Sequence, residues 1–206
     1  MSIEAVVFDI GNVLIAWQPE RFYDRVIGAA RRKAMFAEVD LHRMNDEIDR
    51  GGDFHAVVSA TADAHPQWRT EIMMWHDRWI ELASPPIDLS VRLLRALRRK
   101  GVPVFSLTNF GHGTFEIARR EYPFLEEFDR SFVSARLGVI KPDPKIYEVV
   151  EAESGLAGVS LLFTDDRAEN IGAAQARGWR THRFERPEGW AATLVEAGLL
   201  TAEEAA

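Results

Sequence analysis

The stretch VVFDIGNVL, residues 6–14, carries one carboxylate, Asp9, at the end of an apolar run that then breaks at Gly11. Ala5 to Phe8, with Ile10 beyond, have the character of a strand buried on both faces, where a charge is poorly tolerated. In open α/β sheets, ligands bind outside the carboxyl ends of parallel strands. An acid at such an end, followed by a tight Gly11-Asn12 turn, is therefore placed for chemistry. Taken alone, Asp9 would serve equally well as a turn cap. The rest of the chain has to decide.

Downstream, residues 15–86 change character. Apolar positions recur at helical spacing, as in Phe22, Val26 and Ile27, then Phe54, Val57 and Val58, then Ile72, Trp75, Trp79 and Leu82, and no strand is expected among them. Pro19 sits near a helix start, Gly51-Gly52 breaks between helices, and Ser84-Pro85-Pro86 is expected to form a stiff exit linker. Trp75 and Trp79 are expected to fill the core of this small helical module.

From Asp88 helices and strands alternate. A helix marked by Leu89, Leu93, Leu94 and Leu97 closes on Arg98, Arg99, Lys100 and Gly101, and strand 102–107 runs into Thr108-Asn109. A helix over 114–121 and a strand over 131–134 lead to the turn at 138–147, where Asp143 caps and Pro144 opens the next helix. Strand 159–164 ends in Asp165-Asp166. A helix closed by Gly178, a strand over 179–184 and a helix over 189–200 follow, and the tail TAEEAA is expected to fray. This alternation specifies an α/β fold with a doubly wound parallel sheet: residues 1–14 and 87–206 form its core and residues 15–86 a small inserted α-helical cap.

Composition narrows the classes. At 206 residues and 47% hydrophobic content the chain can bury a full core, and a net charge of −7 argues against nucleic-acid partners, which need a basic surface. With no cysteine, thiolate catalysis and Cys-based metal sites are excluded, so a metal must be held by oxygen or histidine. No apolar run reaches the roughly 18 residues of a membrane span, and the chain enters its first strand directly, so a cytoplasmic location with no membrane partner is expected.

Asp9, Thr108-Asn109 and Asp165-Asp166 end three apolar strands and should converge at one sheet edge, with Lys141 delivered from the intervening turn. A carboxylate attacking a phosphate dianion meets like-charge repulsion, and the remedy is a divalent cation plus a fixed ammonium group. Oxygen ligands such as Asp9 and Asp165 suit Mg²⁺; Lys141 would neutralise the substrate, and Thr108 and the Asn109 backbone N–H would hold non-bridging oxygens.

The four segments FDIGNVL, SLTN, GVIKPDPKIY and LFTDDRAEN resemble, in this order, the four motifs of the haloacid dehalogenase-like hydrolase superfamily. The resemblance implies that Asp9 is the nucleophile and a metal ligand and that the Gly11 carbonyl is a second ligand. Asp165 completes the Mg²⁺ site, Thr108, Asn109 and Lys141 bind phosphate, and Asp166 and Asn170 orient the metal waters and the lysine. Phosphatases of this superfamily usually carry a second Asp, as acid and base, where this chain has Gly11. A cap histidine or Asp166 is then the candidate donor, or the leaving group must be good. The form DIGNV is similar to a branch that includes glucose 1-phosphate phosphatases and the N-terminal domains of some epoxide hydrolases. An anomeric phosphate, with its less basic leaving oxygen, fits the missing acid.

A Mg²⁺-dependent phosphatase of a small phosphorylated metabolite is thus the leading expectation. The rivals are a 2-haloacid dehalogenase, disfavoured by Gly11 in place of a Tyr and by the acidic pair, and a non-catalytic phosphate-binding relative. Receiver-type signalling domains order their acids and lysine differently. Trp17, Arg43, Asn45 and Arg50 are candidate substrate-facing residues of the cap, and exposed cap aromatics equally suit a homodimer contact.

Overall fold

The structure, a computed structural model, describes residues 2–206. Strands β1 (Ala5–Phe8), β4 (Val104–Thr108), β5 (Arg130–Val133), β6 (Leu161–Asp165) and β7 (Arg180–Arg183) form one parallel sheet in the order β5-β4-β1-β6-β7. Alternation along β1 sorts its side chains onto two faces. Val6 and Phe8 pack with Leu93, Leu94 and Leu97 of α7 (Asp88–Arg99) and with Trp190 and Leu194 of α12 (Pro187–Glu196). Ala5 and Val7 pack with Ile146, Tyr147 and Val150 of α10 (Pro144–Ser154) and with Ile171 and Ala174 of α11 (Ala168–Ala176). Helices on both faces of a parallel sheet are the doubly wound arrangement expected.

The sheet aligns the strand ends. Phe8 is in register with Ser106 of β4 and Thr164 of β6, and the Asp9 N–H donates to the Thr164 carbonyl at 2.9 Å. Asp9, Thr108 and Asp165 therefore emerge at one edge. As expected, Asp143 caps α10, its side chain accepting from the Lys145 N–H, with Pro144 in the first turn.

Between β1 and α7 the chain makes six helices: α1 (Pro19–Ile27), α2 (Ala29–Glu38), α3 (Leu41–Asp49), α4 (Phe54–Ala64), α5 (Arg69–Asp77) and α6 (Trp79–Leu82). Their buried face belongs to the same apolar cluster as Val6 and Phe8, which takes in Ile48, Val58, Ile72, Trp75 and Trp79. Two expectations need correction here. Residues 15–86 do contain strands, because β2 (Ile15–Trp17) pairs antiparallel with β3 (Ala83–Pro86). Ser84-Pro85-Pro86 is thus no free linker but half of a ribbon that joins the two crossings into the helical insert. Prolines are tolerated there because the ribbon has only two strands, and an edge residue need not donate.

The tail is also better held than expected. The Thr201 N–H donates to Glu204 Oε2 at 2.7 Å, Lys100 Nζ meets the same oxygen at 3.0 Å, and Ala205 is buried. No helix among the described residues is long and apolar enough to cross a membrane.

Candidate active site

Lys141 is the hub of the sheet edge. It is 2% exposed, and its ammonium group meets Asp9 Oδ1 at 2.8 Å, Asp165 Oδ2 at 2.6 Å and the Leu107 carbonyl at 2.8 Å. Three acceptors use all three ammonium donors. Burial works to lower the Lys141 pKa, but Asp165 and Asp9 act against it, and the group is held above its ordinary value. Burial is also the largest influence on Asp9 and raises its carboxyl above the usual range, with Lys141 pulling the other way.

Each neighbour is positioned by the local chain. Asn109 places the lysine: its side-chain carbonyl accepts from the Lys141 backbone N–H at 2.8 Å, and its amide donates to the Lys141 carbonyl at 3.1 Å. The Asn109 side chain is thereby committed to the Lys141 backbone, which leaves its backbone N–H as the group expected to meet phosphate. Asp165 is fully buried and accepts from the Arg167 N–H at 2.8 Å and from Asn170 Nδ2 at 3.0 Å. Asn12, in the left-handed region at φ 55°, donates to Asp166 Oδ2 at 2.9 Å and accepts from the Trp17 N–H at 2.9 Å. It thereby links the turn after β1 to the acidic pair after β6. The Thr108 hydroxyl is buried without a hydrogen-bond partner, which leaves a donor free at this edge.

Carboxylate oxygens of Asp9, Asp165 and Asp166 all lie within 4.8 Å of one another. Three hard oxygen donors beside a single ammonium group carry excess negative charge, and that donor set fits Mg²⁺. Asp166, expected to act behind the ligands, stands in the same cluster as them. Its carboxyl is raised by burial, against the hydrogen bond from Asn12.

Above this edge lies a cavity of about 160 Å³, lined from below by Asp9, Gly11, Thr108, Asn109, Lys141, Asp166 and Asn170. A Cβ built on Gly11 would meet nothing within 4 Å, so open space stands where an acid two residues after Asp9 would project. The cavity is closed from above by Trp17, Asn45, Asp49, Trp75, Trp79 and Phe110. Of the four cap residues singled out from sequence, Trp17 and Asn45 line it, Arg50 lines a neighbouring cavity, and Arg43 lines neither. Trp75 and Trp79 are core residues, as expected, but also form part of this wall, and the Trp75 indole N–H is buried without a partner.

Sequence reasoning missed Asp49. Its carboxyl, 8% exposed, accepts from Asn45 Nδ2 at 2.8 Å, the Gly111 backbone N–H acts to lower its pKa, and its own carbonyl accepts from the Ser134 hydroxyl at 2.6 Å. Ser134 in turn accepts from the Phe110 N–H at 2.9 Å, so the end of α3 is tied to the loop that follows Thr108 and Asn109. Gly111 permits the approach: a Cβ there would stand 2.4 Å from Ile48 Cγ2.

Known proteins share this frame. A family model described as haloacid dehalogenase-like hydrolase matches residues 3–178. The sesquiterpene phosphatase astK of Aspergillus oryzae is 38% identical over 86% of this chain and 87% of its own length. Among solved structures, the HAD family enzyme bt-2542 of Bacteroides thetaiotaomicron, in complex with magnesium and inorganic phosphate, superposes with a TM-score of 0.74 at 20% identity, over 93% of this chain and 99% of that one. The L-2-haloacid dehalogenase of Xanthobacter autotrophicus, with chloropropionic acid covalently bound, shares the fold at a TM-score of 0.64 and 20% identity, over 96% and 84%. With the motif residues gathered at one sheet edge and the family model matched across most of its length, the chain belongs to the haloacid dehalogenase-like hydrolases.

Proposed function

We propose that this hydrolase is a Mg²⁺-dependent phosphomonoesterase working through an aspartyl-phosphate on Asp9. The observation that carries the reading is the buried Asp9–Lys141–Asp165 chain, with contacts of 2.8 and 2.6 Å beside a third carboxylate. Asp9, Asp165 and the Gly11 carbonyl would hold Mg²⁺, which when bound neutralises phosphoryl oxygens and relieves the repulsion between two anions. Asp9 attacks phosphorus, and Lys141, its protons already committed, acts through its charge. Thr108, whose hydroxyl has no other partner, and the Asn109 N–H hold the non-bridging oxygens. Asn170 fixes Asp165, and Asn12 fixes Asp166.

Residues 1–14 and 87–206 act as the catalytic core, and residues 15–86 as the cap that covers the ester and keeps water out. For the alcohol half of the substrate, the missing acid at Gly11 favours glucose 1-phosphate. A second substrate reading, the phosphate of an apolar alcohol, is favoured by the Trp17, Trp75, Trp79 and Phe110 wall and by the name of the Aspergillus relative. The dehalogenase reading is disfavoured by the acidic cluster around Lys141, which displacement of halide does not need.

The test is turnover of glucose 1-phosphate, glucose 6-phosphate, a prenyl phosphate and an aryl phosphate, with Mg²⁺ and with chelator. Mg²⁺-dependent release of phosphate is expected, with Asp9→Asn lowering kcat at least about 10³-fold while the protein stays folded. Silence on the panel with halide release from a 2-haloacid in chelator would hand the site to dehalogenation. Silence in both would make the chain a phosphate binder.

A further inference from the structure

The open space at Gly11 leaves the reaction without a proton donor beside Asp9. Asp166 serves poorly, because its carboxylate belongs to the cluster a cation would keep ionised. His42, the histidine that lines the cavity, stands exposed at its rim. A better-placed group exists on the opposite wall.

We propose that Asp49 is the general acid and base of the phosphatase reaction, working from the helical insert across the cavity from Asp9. The inference rests on the phosphatase reading. Asp49 lines the same cavity as Asp9 and Lys141 and is almost wholly buried. Its place is fixed from both sides of the site: Asn45 on its own helix holds the side chain, and Ser134 of the core holds the backbone carbonyl. It is the last residue of α3, where the unpaired carbonyls of a helix end disfavour negative charge. Burial, and then Asp46 one turn earlier, push its carboxyl up to about 7 against the Gly111 N–H; Asp9 adds to the rise and Lys141 opposes it. His42, Asp166 and Arg167 are the other charged or titratable groups on the cavity wall. A carboxyl so placed is protonated when a proton is needed near neutral pH.

The steps balance. As an Asp9 oxygen bonds to phosphorus and the ester P–O bond breaks, the Asp49 proton passes to the leaving oxygen and the alcohol departs neutral. Water then attacks the aspartyl-phosphate and gives a proton to the Asp49 carboxylate. The bond from phosphorus to the Asp9 oxygen breaks, releasing inorganic phosphate and restoring both carboxyls. With a donor present the leaving group need not be good, so esters of ordinary alcohols come within reach.

Asp49→Asn keeps the shape and removes the proton, and its Mg²⁺-loaded form is compared with wild type on an alkyl phosphate and on p-nitrophenyl phosphate, whose leaving oxygen needs no proton. For the alkyl ester kcat/KM should fall about 10²–10³-fold, and for the aryl ester it should change by less than about fivefold. On the aryl ester the variant should also release about one equivalent of nitrophenol in a burst and then slow, because the second step has lost its base. Equal losses on both esters with no burst overturn the role of Asp49 and leave the phosphatase reading standing. No turnover of either ester by wild type overturns that reading itself. Should the variant fail to fold, wild type alone decides. Its kcat/KM for the alkyl ester should fall as pH rises above about 7 while that for the aryl ester stays flat, and a shared limb would overturn the assignment.

Discussion

The two walls of the cavity are built on opposite principles. Below, at the ends of β1, β4 and β6, charges are buried and interlocked: Lys141 stands between Asp9 and Asp165, and Asp165 takes two further hydrogen bonds. Above, on α3, α5 and α6, the Trp75 and Trp79 rings stand with His42, Asn45 and the carboxyls of Asp46 and Asp49; among the described residues Asp49 has no cation at hydrogen-bond distance, and the Trp75 indole N–H has no partner. A fixed charge network suits a ligand part that is always the same, a phosphate. A wall that mixes aromatic rings with polar groups suits a part that varies, and it carries the discrimination. The lower wall should therefore fail through loss of charge balance, and the upper through changes in protonation and shape.

The largest effect is expected from breaking that balance. Lys141→Ala leaves Asp9 and Asp165 facing each other in a buried space, and removing one partner of a buried ion pair costs about 3–5 kcal/mol. Turnover should fall about 10²–10³-fold, because the phosphate then approaches an uncompensated carboxylate. Thermal unfolding and kcat measured on one preparation test both. A variant that kept wild-type stability would show that Lys141 does not hold the two carboxylates together.

A smaller effect of opposite sign is expected above. For a carboxyl whose pKa rises from 3.8 to about 7 on folding, the native state binds the proton more tightly, so stability is full below about pH 4 and is lost progressively as pH rises from there through about 7. Asp49→Asn abolishes the loss. It should match wild type near pH 4 and exceed it at pH 8 by on the order of 2–4 kcal/mol. Denaturant melts at the two pH values measure this difference, and a variant less stable than wild type at pH 8 would show that the ionised carboxylate is well accommodated in the fold.

The lower wall was legible in the sequence because its chemistry sits at strand ends: a core strand that stops at Asp9, Thr108 or Asp165 announces itself against its apolar neighbours. The upper wall was harder. In LHRMNDEIDR the acids look like a solvated helix face, and which of them turns inward depends on the distant Gly111 and Ser134, a contact no local pattern encodes. One signal was available. Leu41, Met44 and Ile48 mark the buried stripe of α3, and Asn45 and Asp49 fall four and eight residues after Leu41, so two polar side chains share an otherwise apolar face. Strands β2 and β3 escaped notice because three residues, or four of which two are prolines, carry no period, and only their pairing defines them. The tail looked free because the Lys100–Glu204 pair spans 104 positions.

The smallest expected change in stability tells most about the alcohol half of the substrate. Trp75 is 2% exposed, lies edge-on to Trp17 at 5.6 Å, and buries its indole N–H without a partner. Trp75→Phe removes ring volume, which costs stability, and also removes an unsatisfied donor, whose burial cost about 1–3 kcal/mol. The two terms oppose each other, so stability should move by no more than about 1 kcal/mol. Substrates should separate. A hydroxyl-bearing ester such as glucose 1-phosphate can accept from that N–H, and its KM should rise about tenfold in the variant, the worth of one hydrogen bond. An apolar ester has nothing to offer the N–H and should bind as before or better. Steady-state KM for both esters in both proteins decides the case: a selective loss on the sugar phosphate makes the spare donor a specificity contact, and equal behaviour removes the N–H from substrate recognition.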